Sequence, residues 1–137
     1  MLILPHGWQP SPAGESIVLA WNPSREATRA AHDAMPILTR AKKVTVFAFG
    51  PRSDSKNSDP ELMAGHLRQH GVPAEVYTWP ETGEMSAVEA LFTCLGTQEA
   101  DSIVAGAYGH SRLFEGLFGG VSHVLLNQPA MPVLMSH

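Results

Sequence analysis

With 137 residues, 44% hydrophobic and 16% charged, the chain has the size of one domain with a real core and is too apolar for a disordered segment. A net charge of −4 and a pI near 5.9 exclude a broad basic surface for nucleic acid, and no apolar run approaches the roughly 18–20 residues of a membrane span. The lone Cys94 rules out an internal disulfide and fits a reducing, cytoplasmic home, which leaves small molecules and proteins as partners.

The opening MLILP reads as a strand, followed by the Pro- and Gly-containing connector HGWQPSPAGE. It has no basic n-region and no small-residue cleavage site, so it does not read as a signal peptide. From Ser16 the chain alternates two signals. SIVLAW is a short apolar run suited to a buried strand. SREATRAAHDAMPILTRA follows, with Ser24 as N-cap and Ala27, Ala30, Ala31, Ala34, Ile37 and Leu38 at helical spacing. Pro36 inside that pattern predicts a kink or a loosened last turn. KKVTVFAF is the second strand of this series, and the polar GPRSDSKNSDP reads as a loop.

PELMAGHLRQH predicts a short helix with Asp59 as cap, Pro60 at the first position and Gly71 beyond its end. AEVYTW is a third strand with one more polar face, and GEMSAVEALFTCLGTQEA a third helix weakened by Gly96. DSIVAG is the fourth strand, GGVSHVLLNQ a short fourth helix and MPVLMSH the last strand. This alternation implies parallel strands joined by crossovers. The expected fold is a three-layer α/β sandwich, with a mostly parallel five-stranded sheet, about four helices and an extra N-terminal strand. Residues 1–15 form the strand and linker, residues 16–137 the domain.

The stretch GAYGHSRLFEGLFGGVSHVLL holds five of the chain's 12 glycines. Gly106 and Gly109 follow directly on the fourth strand, and nine residues later Gly119, Gly120 and Val121 open a helix. Ligands of open parallel sheets sit outside the carboxyl ends of the strands. Glycines there let backbone N–H groups approach phosphate, and a helix N-terminus favours an anion. The loop lacks the Lys-Ser/Thr pair of a Walker A sequence. The plain alternative is a set of turn glycines.

Element order, the spacing Gly-x-x-Gly, nine residues, Gly-Gly, and the segments LAWNPS, AYGHSR and MPVLM together resemble the universal stress protein family. The resemblance covers Ser16 to His137. It implies a Rossmann-like fold of the adenine-nucleotide α-hydrolase type, a stress-response role, and ATP or AMP as ligand, with Mg2+ only alongside the nucleotide. Carried onto this chain, it makes Ala20, Trp21, Asn22, Phe49, Ala105, Gly106, Gly109, Arg112, Gly119, Gly120, Val121 and Ser122 the nucleotide-binding candidates. Gly120 departs from the family pattern, which has Ser or Thr at that position. A hydroxyl there would contact the terminal phosphates, whereas Gly120 offers only its N–H, so the expectation is a cradle with a weakened grip.

Each other residue has a plainer role beside the functional one. Asn22 replaces the family's Asp and keeps one acceptor while adding a donor, but it also suits the turn NPS. Trp21 and Phe49 are base-side candidates or core aromatics, and Arg112 is a phosphate partner or a surface cation. His66 and His70 stand four apart on a predicted helix, a geometry that can hold zinc, yet no third ligand lies near them in sequence. Cys94 reads as a small buried hydrophobe. No convincing catalytic group emerges, so any ATP hydrolysis is expected to be slow and incidental.

The resemblance further implies a homodimer through the last strand, Val133, Leu134 and Met135. The opening strand resembles the end of a preceding domain in tandem members. Leu2, Ile3 and Leu4 are therefore expected to pair with Val133–Met135, from the same chain or a partner. The competing function is a dimerisation or scaffold module of the same fold without tight nucleotide binding.

Overall fold

The computed structural model describes residues 1–9, 13–50, 59–80, 84–106, 124–125, 127 and 129–136. Six strands are present: β1 (Leu2–Ile3), β2 (Ser16–Trp21), β3 (Lys43–Phe49), β4 (Ala74–Trp79), β5 (Ser102–Gly106) and β6 (Val133–Ser136). They form one sheet in the order β1-β6-β5-β2-β3-β4. All neighbours from β6 to β4 run parallel, and β1 alone is antiparallel. Four helices are described: α1 (Arg25–Asp33), α2 (Met35–Leu38), α3 (Pro60–Gln69) and α4 (Ala87–Thr97). The mostly parallel α/β architecture agrees with the sequence reading.

Both faces of the parallel sheet are buried, which is why β2 and β5 are nearly continuous apolar runs. Ile17, Leu19, Trp21, Val44 and Val46 face one layer, where they pack with Ala27, Ala30 and Ala31 of α1, Leu38 of α2 and Leu67 of α3. Val18, Ala20, Phe47, Ile103 and Ala105 face the other, with Ala90, Leu91 and Cys94 of α4. Leu125 belongs to this second cluster. Val124, Leu125 and Asn127 are helical, and the remainder of the predicted GGVSHVLLNQ helix lies outside the described residues, Gln128 included.

The single helix expected over residues 24–41 is two. α1 ends at Asp33, and α2 restarts with Pro36 in its first turn. Proline has no N–H to continue the ladder, and its ring collides with the carbonyl four residues back, so the break falls before it. The helix containing Gly96 runs on to Thr97, because Leu91, Cys94 and Leu95 bury its apolar stripe.

The amino edge of the sheet is stitched around one side chain. The Asp101 carboxylate accepts the backbone N–H of Gly14 at 2.7 Å, of Glu15 at 3.0 Å and of Ser16 at 3.1 Å, and the Ser102 hydroxyl at 2.8 Å. In return the Asp101 N–H donates to the Ser16 carbonyl at 2.9 Å. This clamp fixes where the connector from β1 enters β2. Replacing Asp101 by Ala removes a charged acceptor from four donors and is expected to lower the unfolding free energy by ~2 kcal/mol, with Asn losing about half as much. Urea denaturation of the two variants checks both values.

Candidate functional site

Parallel strands bring their carboxyl ends to one edge. The connection from β2 leads outward to β3, whereas β5 lies on the other side of β2. This is the switch in strand order beside which open α/β sheets bind ligands. Register places the sequence candidates there. Ala20 is opposite Ala105 across β2 and β5, Trp21 is opposite Ala48 across β2 and β3, and Phe49 ends β3. Asn22 and Gly106 are one step further along their chains. Six candidates thus share one edge, while Gly109, Arg112, Gly119, Gly120, Val121 and Ser122 lie outside the described residues.

Gly106 has a second reason to be glycine. A Cβ built on it would lie 2.6 Å from the Ala27 nitrogen, 2.6 Å from the Glu26 carbonyl carbon and 2.9 Å from the Glu26 Cβ. Its φ is not in the left-handed region. Sterics against the first turn of α1, rather than backbone freedom, therefore exclude a side chain. The same contact sets the N-terminus of α1, the positive end of its dipole, beside the start of the glycine-rich segment. Sequence reading offered Gly106 as a point of ligand approach or as a turn glycine, and missed the helix lying on it.

Asn22 is held by the cap of that helix. The Ser24 hydroxyl donates to Asn22 Oδ1 and accepts the Ala27 N–H at 3.1 Å, while the Ser24 N–H donates to the Asn22 carbonyl at 2.8 Å. The turn-forming role of Asn22 is realised, and its Oδ1 spends one of two lone pairs on the Ser24 hydroxyl. Trp21 is 5% exposed and packed in the α1-side core, and its Nε1 is buried with no hydrogen-bond partner among the described residues. Phe49 is half-buried against the α4-side core. Ala20 and Ala105 are buried on that same side, two small residues abreast at the strand ends.

One contact at this edge has no local sequence signal. Ser136, opposite Gly106 in register, donates its hydroxyl to Asp33 Oδ2 at 2.5 Å. The partners are 103 residues apart, and only the folded sheet brings the end of α1 to β6. Among the described residues, no three His, Cys, Asp or Glu side chains are grouped so as to hold a metal ion as they stand. Cys94 is fully buried, and loss of hydration pushes its thiol up to about 11, an effect that Lys43 opposes.

Two outcomes are expected. Gly106→Ala must displace either α1 or the end of β5 and should cost about 1–3 kcal/mol, read as a lowered thermal midpoint. Cys94 should react with a disulfide reagent at pH 8 on the order of a hundredfold more slowly in the native than in the urea-unfolded chain. Its raised ionisation also fixes a sign. The folded-state contribution of the thiol is complete below about pH 9, the ordinary value, and is lost as pH rises toward about 11. The stability difference between wild type and Cys94→Ala should narrow across that window.

No protein-family model matches the chain, and no curated protein sequence matches it. Solved structures do. Hypothetical protein MJ0577, the subject of a structure-based assignment of biochemical function, is 18% identical with a TM-score of 0.69 over 89% of this chain and 94% of its own. A universal stress protein in complex with cAMP is 21% identical with a TM-score of 0.66, covering 90% and 96%. Universal stress protein UspA from Lactobacillus plantarum is 15% identical with a TM-score of 0.63, covering 93% and 100%. Nearly whole-chain superposition at such low identity speaks to architecture, and the architecture is that of the universal stress proteins.

Proposed function

We propose that the chain is a nucleotide-binding module of the universal stress protein type, acting in the cytoplasmic stress response. ATP or AMP sits at the carboxyl edge, with the nucleoside beside Ala20, Asn22, Phe49 and Ala105. Its phosphates lie along the Gly106–Gly120 segment, and Mg2+ enters only with the nucleotide. The observation that supports this reading is the meeting, at one switch point, of six candidate residues with the N-terminus of α1 resting on Gly106. The structural neighbour in complex with cAMP adds that a chain of this fold can hold an adenine nucleotide.

Phosphate would be held by backbone N–H groups from the glycine segment, with Arg112 available as a charge partner. Gly120 supplies an N–H without a hydroxyl, so affinity is expected to be modest. Hydrolysis, if any, stays slow. The dimerisation reading meets a physical obstacle, since the outer edge of β6 already pairs with β1: Leu2 is opposite Leu134 and Ile3 opposite Val133 within the same chain. A dimer through Val133–Met135 requires β1 to leave.

Calorimetric titration with ATP and Mg2+ is expected to show saturable binding. Gly119→Val should abolish it by placing bulk where phosphate sits. Gly120→Ser should tighten it by roughly tenfold, about one hydrogen bond to a charged group. Absence of heat at millimolar ATP would overturn the nucleotide reading and favour the scaffold.

A further inference from the structure

Past the Asp101 clamp, the amino edge of the sheet opens into a cavity of about 440 Å³ where α3 ends and β3 and β4 begin. Its lining is Lys42, Lys43, Arg68, Pro73, Ala74 and Glu75. The chain has only nine Lys and Arg residues and a net charge of −4. Three of those cations nevertheless line this one cavity, beside a single carboxylate. We propose that it binds a small organic molecule carrying two or more phosphate groups, at a site separate from the carboxyl edge. Lys43 and Phe49 stand at opposite ends of β3, and a strand of that length sets the two edges about 20 Å apart.

The hydrogen bonds around the cavity prepare its cations for such a ligand. Arg68 Nε donates to the Ala74 carbonyl at 2.7 Å, and its Nη1 lies 3.6 Å from the Glu61 carboxylate. The guanidinium is thereby fixed in place, and the remaining donors of its planar fork match phosphate oxygens. Lys42 Nζ is 3.2 Å from the Glu15 carboxylate, in a pair whose side chains are 76% and 49% exposed. Exposed pairs of this kind contribute little in water, and a phosphate group carries more charge than a carboxylate. Glu15 and Glu61 are both at the surface, so each can turn into water as phosphate takes its place. Lys43 donates to the Gln98 carbonyl at 3.5 Å, the outer limit of a hydrogen bond.

Size and lining exclude a lone ion as the best fit. Sites for small organic ligands span roughly 300–1,000 Å³ and combine apolar walls with a few placed polar groups. Pro73 and Ala74 supply an apolar part for the carbon skeleton, and Glu75 an acceptor for its hydroxyl groups. The end of α3 works against an anion, because a helix carboxyl terminus carries about half a negative charge. Three whole positive charges outweigh it.

Amide NMR of the full chain, titrated at low salt with sodium tripolyphosphate, tests the site. Shifts are expected at Lys42, Lys43, Ala74 and Glu75, saturating with a Kd on the order of 0.1 mM. Orthophosphate, with fewer oxygens and less charge, should bind roughly tenfold more weakly. Lys42→Gln and Arg68→Gln should each weaken tripolyphosphate binding about fivefold, and Arg68→Lys about threefold, because the ammonium lacks the fork. Circular dichroism of the variants, expected to match wild type, separates ligand loss from misfolding, and the exposed Lys42 is a site where substitution leaves the core intact. Shifts confined to the surroundings of Gly106 would place the anion at the carboxyl edge and overturn the proposal. Unchanged affinity in Lys42→Gln or in Arg68→Gln would overturn it too, as would equal affinity for orthophosphate and tripolyphosphate.

Discussion

The first turn of α1 lies against the end of β5 so closely that a single methyl on Gly106 would meet backbone at 2.6 Å. Much of the carboxyl edge depends on that approach. It is possible because the inner face of α1 is Ala27, Ala30 and Ala31, with Ala34 just past its end, small residues that let the helix sink onto the sheet. With the helix set there, Ser24 must cap it at the edge, and the Ser24 hydroxyl then fixes Asn22. Trp21 is sealed beneath the same helix. A larger residue at any of these points would lift α1 and scatter the groups beside it.

The two edges of the sheet divide the work. At the amino edge, one carboxylate gathers four donors and ties the connector into β2, while the Glu15 carbonyl accepts the N–H groups of Lys42 and Lys43 at 2.8 and 3.0 Å. Polar groups there are engaged with one another. At the carboxyl edge, the Ser24 hydroxyl joins Asn22 to the first turn of α1, which lies against Gly106. In open parallel sheets the carboxyl edge is where ligand crevices form, and a tied amino edge gives such a sheet its rigid frame.

Local signals were legible and long-range coincidences were not. SIVLAW and AEVYTW coincide with β2 and β4, since a strand buried on both faces and an edge strand with exposed Glu75 and Thr78 differ in pattern. Ser24 and Asp59 cap their helices through side-chain oxygens as read from the sequence, while the Ser86 cap of α4 was not read. The second reason for Gly106 could not be read, because it depends on a helix some eighty residues earlier in the chain. His32 was equally invisible as a neighbour of His66, since their meeting needs two helices to share a face. The candidate site was half legible: the strand-end residues follow from element order, while their partners follow from packing.

The outer boundary of the sheet bears on self-association. β6 would otherwise present unpaired backbone groups, and β1 covers them with two residues and reciprocal bonds between Met1 and Met135, each 2.8 Å. Ile3 tucks against the α4-side core, while Met1 and Leu2 stay exposed. A strand this short offers little template for a further chain. Because β1 is tethered to β2 in the same chain, its effective concentration at β6 is on the order of millimolar. A second chain at micromolar concentration competes with that tethered strand at a disadvantage near a thousandfold, about 4 kcal/mol. Pairing of β6 between chains must therefore bring contacts well beyond those of a single strand before it displaces β1.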